Sequence, residues 1–238
     1  MKTSLIFING WGFENSIFYN LAKHLVFADK IYYLNSTRDF DKAFDSEEFS
    51  FLRNNNKKII ITWSLGSILY MKNMNSFNNV IGVIFISGSM CFLKNDNNNI
   101  GWDKRILNRM TSKLLTNPDV VMNDFSKNIT FNDKKVFADE VRKNILCINE
   151  ISDKTLIKSL QVMAYDNVIK LAENIKFPVF IIHGNEDSII PVQSSYKINE
   201  IIINSKLKVI GGCKHAPFIT NKYKVIKWIN DFIKELDN

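Results

Sequence analysis

At 238 residues and 46% apolar side chains, the chain is long enough to bury one ordinary core and too apolar to be disordered. Its formal charge of +7 comes from lysines scattered through an Asn-, Lys- and Ile-rich composition, without the clustered basic face that binds nucleic acid. The opening apolar run is too short for a signal peptide, and no stretch approaches the roughly 20 apolar residues that span a bilayer, so a soluble cytoplasmic protein is expected.

Short β-branched and aromatic runs alternate with longer amphipathic segments. The pattern predicts a strand over 4–8 and a helix over 16–27, then a strand over 30–34 and a helix over 46–53. A strand over 58–63 runs straight into a helix over 65–74, and another strand follows at 80–86. Most of these strands are nearly unbroken apolar runs, as strands covered on both faces are. From about 87 to 175 no strand pattern occurs; helical periodicity recurs over 102–115, 118–128, 133–148 and 153–172. The alternation then resumes with a strand over 177–183, a helix over 192–202, a strand over 207–210 and a helix over 217–236. That last helix carries Ile226, Ile229, Ile233 and Leu236 on one stripe, with Lys222, Lys227 and Lys234 elsewhere. Packing on the sheet is its expected use, and a membrane-surface helix is the alternative. Together the elements predict a mostly parallel central sheet flanked by helices. Its core is formed by 1–87 and 176–238, with an all-helical lid over 88–175 at the sheet's carboxyl edge, where open α/β sheets bind ligands.

Chemistry concentrates at three points. In Ile59-Ile60-Ile61-Thr62-Trp63-Ser64-Leu65-Gly66 a buried strand meets a helix at Ser64, the setting of the nucleophile elbow of α/β-hydrolases. Thr62 stands where that motif has its first glycine; Gly66 keeps the second. A helix N-cap is the bland alternative for such a serine. The hydroxyl needs a base, and of three histidines only His215, in the loop Gly211–Pro217, follows a strand at the right edge. His24 reads as a helix-surface residue and His183 as a structural residue ending a buried strand. The imidazole needs an orienting carboxylate, and Asp187 in the loop after 177–183 supplies it, with Glu186 as rival. The order Ser64, Asp187, His215 is that of α/β-hydrolases. Two backbone donors should complete an oxyanion hole: Leu65, next to the serine, and Trp11 in Asn9-Gly10-Trp11-Gly12, a stretch that could also be a simple glycine turn. This chemistry needs no metal and no organic cofactor. Cys91, Cys147 and Cys213, odd in number and widely spaced, fit buried thiols rather than disulfides or a zinc site.

These residues together resemble the pimeloyl-acyl-carrier-protein methyl ester esterase family of biotin synthesis. The similarity covers most of the chain and lies in Gly10-Trp11-Gly12, Trp63-Ser64-Leu65-Gly66, Ser87-Gly88-Ser89-Met90-Cys91-Phe92, the Asp187 loop ending at Pro191, and His215-Ala216-Pro217-Phe218-Ile219. The resemblance implies a monomeric serine carboxylesterase whose partner is an acyl carrier protein bearing a pimeloyl methyl ester. It implies substrate contacts from Trp11, Ser64 and Leu65, and from Phe125 in the second lid helix, where an aromatic also serves as ordinary packing. Two departures stand out. Asn9 replaces the family's usual histidine, and the lid arginines that grip the carrier are not matched one for one; Arg105, Arg109, Lys113, Lys134, Lys135, Arg142 and Lys143 are present instead, a set that also suits a solvated helix face. The alternatives are a general short-chain esterase, thioesterase or carbon–carbon bond hydrolase with the same triad, or a silent binding protein on the same scaffold.

Overall fold

The computed structural model describes residues 3–25, 29–95, 98–130, 135–145 and 151–237. Six strands, β1 (Thr3–Ile8), β2 (Lys30–Leu34), β3 (Lys57–Trp63), β4 (Val80–Ile86), β5 (Val179–Gly184) and β6 (Ser205–Ile210), form one sheet in the order β2-β1-β3-β4-β5-β6. All five pairings are parallel. The four inner strands are buried along most of their length, which explains their unbroken apolar runs. The two edge strands differ. In β6, Lys206 and Lys208 alternate outward with Leu207 and Val209, placing charge on an edge that would otherwise invite another strand.

The helices are α1 (Tyr19–Ala22), α2 (Gly66–Lys72), α3 (Lys104–Leu114), α4 (Pro118–Ile129), α5 (Lys135–Lys143), α6 (Asp153–Tyr165), α7 (Ile169–Ala172), α8 (Gln193–Ile201), α9 (Pro217–Thr220) and α10 (Lys222–Asp237). Between β4 and β5 the described residues carry the helices α3–α7 and isolated bridges but no strand, as predicted for this interval. The apolar stripe of α10 faces inward: Ile229 and Ile233 are fully buried and Leu236 lies over Gly82 of β4, while the predicted Ile226 is only half-buried and its neighbour Val225 takes the inner position. That stripe is spent on the sheet. Among the described residues no helix is long and apolar enough to cross a membrane.

Four predicted helices are corrected. Of the segment predicted over 16–27, residues 26 and 27 lie outside those described, and the rest is a 3₁₀ turn, Asn15–Phe18, followed by the single turn of α1. It ends in tight bonds from His24 N–H to Leu21 O and from Leu25 N–H to Ala22 O. The segment over 46–53 is 3₁₀ as well, kinked at Phe49. The predicted 153–172 helix divides into α6 and α7 because Asp166 turns extended and Val168 N–H bonds Met90 O, which ties the chain to the loop after β4. The predicted 217–236 helix breaks at Asn221, whose φ of −124° and ψ of 36° separate α9 from α10. Periodicity marks which residues face inward but not where a tertiary hydrogen bond interrupts the helix.

Because all strands run in one direction, the residues that follow β1, β3, β4, β5 and β6 collect at a single edge of the sheet. β6 lies three strand positions from β3, roughly 14 Å away. A residue following β6 must therefore travel across the tips of two strands to reach one following β3.

Candidate active site

Ser64 follows β3 with φ of 56°, one of three non-glycine residues with positive φ among those described. That conformation is costly for a residue with a Cβ and is held by its surroundings. The Ser64 N–H donates to Ile86 O of β4 at 3.0 Å. Ser67 Oγ lies 2.7 Å from Ser64 O and 2.8 Å from Ser89 O, its single hydrogen shared between these two carbonyls, and accepts from Ser89 N–H at 2.9 Å. The elbow is thus bolted to the loop after β4. Gly66 lets α2 start so close to β1 that an added Cβ would stand 2.5 Å from Asn9 O and 2.6 Å from Ile8 O. With Thr62 in place of the motif's first glycine, the turn still forms; Thr62 is fully buried.

The loop after β1 abuts the serine. A Cβ on Gly10 would lie 3.2 Å from Ser64 Cβ. Asn9, where a histidine is usual, pins this loop: its Nδ2 donates to Phe13 O at 2.6 Å and Asn15 Oδ1 at 3.1 Å, and its Oδ1 accepts from Ser36 N–H at 2.8 Å. An amide can donate and accept at once, so the replacement keeps the loop fixed. Trp11 Nε1–H donates to Leu156 O of α6 at 2.9 Å. Among the described residues the backbone N–H groups of Trp11 and Leu65 donate to no protein carbonyl.

Asp187 and His215 meet. His215 Nδ1–H donates to Asp187 Oδ2 at 2.7 Å, and both side chains are sealed from solvent. Glu186, the rival carboxylate, is exposed. Asp187 Oδ1 accepts the N–H groups of Ile189 at 2.9 Å and Ile190 at 3.0 Å. Burial alone would raise the Asp187 pKa, but the charge of His215 and hydrogen bonds from His183 and His215 outweigh it and hold the carboxyl well below its usual range. With Nδ1 protonated, the neutral ring presents Nε2 as an acceptor; that atom is buried and has no partner among the described residues. No hydrogen bond joins it to Ser64. Apo sites often have this last link open. Trp63 Nε1–H donates to His215 O at 2.9 Å, so the residue before the serine holds the loop that brings the histidine across the sheet.

Ser64 lines a tight space of about 10 Å³ with Trp11, Leu65, Phe92, Trp102, Met110 and Phe125 among its walls. Phe125 meets Trp11 edge-on at 5.5 Å. Trp102, Met110 and Phe125 also line a wider groove of about 240 Å³ between α3 and α4, so these three side chains form the partition. Arg109 and Lys113 stand on the groove's wall.

The remaining candidates fall elsewhere. Arg105 pairs with Asp103 at 2.9 Å, Lys113 with Asp124 at 3.8 Å and Arg142 with Asp139 at 3.6 Å; Arg109 and Lys143 are exposed. Lys134, the side chain of Lys135, and Cys147 lie outside the described residues. Cys91 and Cys213 are buried free thiols, and burial pushes both thiol pKa values up. His24 is exposed, with Nδ1 against Asn20 O. His183 is the residue that sequence reasoning undervalued: it is fully buried with Nε2 3.0 Å from Asp187 Oδ2. Its position four residues before Asp187, at the end of the same strand, is the signal that could have found it.

A family model described as serine aminopeptidase, S33 (Hydrolase_4), matches residues 33–221. The chain belongs to this family of α/β-hydrolases. It is also similar to a protein named pimeloyl-[acyl-carrier protein] methyl ester esterase from Wigglesworthia glossinidia brevipalpis, 29% identical over 99% of this chain and 95% of that one. A second protein of that name, from Aliivibrio fischeri, is 22% identical over 98% of this chain and 94% of its own length. Among solved structures, the crystal structure of bromoperoxidase from Bacillus anthracis superimposes with a TM-score of 0.81 at 17% identity, covering 98% of this chain and 92% of that one. A likeness at that identity speaks to the fold.

Proposed function

We propose that the protein is a serine carboxylesterase that hydrolyses the methyl ester of a pimeloyl chain carried on acyl carrier protein, a step of biotin synthesis. The observation that carries the ester-hydrolase reading is the buried His215–Asp187 pair at 2.7 Å, with a free Nε2, at the sheet edge where Ser64 sits on a strained elbow. The substrate is supported by full-length similarity to proteins named for that ester.

In this reading Ser64 Oγ attacks the ester carbonyl while His215 Nε2 takes its proton. The oxyanion is received by the N–H groups of Leu65 and Trp11, which spend no bonds on protein carbonyls. Methanol leaves with the proton returned by His215. A water deprotonated by the same imidazole then attacks the acyl-enzyme and frees the carboxylate and Ser64. Asp187 stays ionised throughout.

The stretch 88–175, whose described part carries α3–α7, acts as a lid. The space at Ser64 is about the size of one water molecule, too small for a seven-carbon chain, so Phe125, Met110 and Trp102 must yield to admit it from the α3–α4 groove. Arg109, exposed at that groove and without an acidic partner among the described residues, and Lys113 beside it suit an acidic carrier.

The test is mass spectrometry of pimeloyl-carrier methyl ester incubated with the protein. Loss of one methylene mass is expected with wild type and not with Ser64→Ala. Equal turnover of the carrier ester and a simple aryl ester would favour a general esterase. No labelling of folded wild type by a fluorophosphonate would favour a binding protein.

A further inference from the structure

Two imidazoles share Asp187. His183 Nε2 lies 3.0 Å from Asp187 Oδ2 and 2.8 Å from Ile190 O. Both neighbours are acceptors, so Nε2 carries a hydrogen. On the other side of the ring, Nδ1 stands 2.6 Å from Ser195 Oγ of α8, and in the neutral ring the hydroxyl donates to it. The tautomer is therefore set from both ends, in a side chain with no exposure to solvent. Asp187 Oδ2 accepts from His183 and from His215, while Oδ1 accepts two backbone N–H groups.

We propose that His183 is a positioning residue: it fixes the Asp187 carboxylate and, by occupying the same oxygen that holds His215, limits how strongly that carboxylate stabilises the His215 imidazolium. The proposal rests on the esterase reading above. An oxygen that accepts two N–H donors offers each a weaker potential than it would offer one. Removing the His183 donor leaves Oδ2 to His215 alone, so His215 holds its proton more tightly and the enzyme needs a higher pH to work. Nearby among the described residues are Cys213, which feels the charges of Asp187 and Glu186 and whose thiol burial keeps neutral, Lys214 beside His215, and Glu186 at the exposed rim.

The experiment is the pH dependence of fluorophosphonate labelling of Ser64, and of kcat/KM on a short aryl ester, in the full chain. The variants are His183→Leu, His183→Gln and Ser195→Ala. His183→Leu is expected to move the acid-side midpoint upward by about half a pH unit or more and to lower the plateau about tenfold. His183→Gln, whose amide can donate to Oδ2, should bring the midpoint back toward wild type. Ser195→Ala, which frees the ring's outer nitrogen, should shift it the same way by less. A lowered plateau with a wild-type midpoint in His183→Leu, or in Ser195→Ala should the leucine variant not fold, means that the ring only packs and overturns the proposal. Absence of wild-type labelling at every pH instead overturns the esterase reading on which it stands.

Discussion

Trp63 and His215 are joined across two intervening strands: the indole N–H of Trp63 donates to the His215 carbonyl at 2.9 Å, and the two rings stand 5.3 Å apart. The residue that precedes the serine in the chain is thus the one that holds the histidine's backbone. Serine and base are registered to each other through one side chain rather than through the long path of the sheet. Trp63→Phe keeps the ring packing and removes the donor, leaving a buried carbonyl unpaired at a cost of about 1–3 kcal/mol of stability. Its kcat should fall more than its KM rises. Thermal melting together with steady-state kinetics on one ester measures both effects.

The Asp187–His215 bond decides which imidazole nitrogen is free. Asp187→Asn presents an amide whose N–H₂ can face Nδ1, which turns the ring to the wrong tautomer. A loss of about 10⁴-fold in kcat is expected with the fold retained. A circular dichroism spectrum matching wild type, beside the kinetic loss, is the check; kcat within tenfold of wild type would sink the assignment of Asp187.

The same carboxylate shapes acid stability. Its folded pKa lies below the unfolded value near 3.9, so its contribution is fully present above that value and disappears as pH falls through the folded pKa. Between neutral pH and about pH 5 it adds no slope. Below that, wild type should lose stability with a component that Asp187→Asn lacks. Urea midpoints of the two proteins across acid pH test this, and parallel curves would contradict it.

At Ser64 the backbone strain and the chemistry can be separated. Ser64→Ala and Ser64→Gly both abolish fluorophosphonate labelling. Only glycine relieves the φ of 56°, so Ser64→Gly should be more stable than Ser64→Ala by about 1 kcal/mol. Chemical denaturation of the two inactive variants reads the difference directly.

Phe125 stands in the wall between the Ser64 space and the α3–α4 groove, edge-on to Trp11. Phe125→Ala removes both the wall and an apolar contact for a long chain. On a pimeloyl ester kcat/KM should fall about tenfold, the cost of one or two buried apolar contacts. An acetate ester, which does not extend past that wall into the groove, should be affected much less. Equal losses on the two esters would place Phe125 in packing alone.

Much of this protein is local in its chain. The four inner strands announce themselves as apolar runs because they are covered on both faces. Ser64 is legible because an elbow needs a strand, a serine and a glycine in immediate succession. Asp187 and His215 are legible because each lies in a loop directly after a strand, and parallel strands deliver such loops to one edge. Tertiary structure alone decided the rest. Glu186 and Asp187 are adjacent carboxylates, and only the fold turns one into the interior and the other to solvent. His183 is a buried histidine in any reading; its bond to Asp187 depends on how the loop curls back on the end of β5. The break at Asp166 goes with a bond from Val168 N–H to the remote Met90 O, which no local pattern could announce. The physical reason is the same in each case. Apolar patterning depends on a residue and its near neighbours, whereas a hydrogen bond's direction depends on where remote backbone brings its partner.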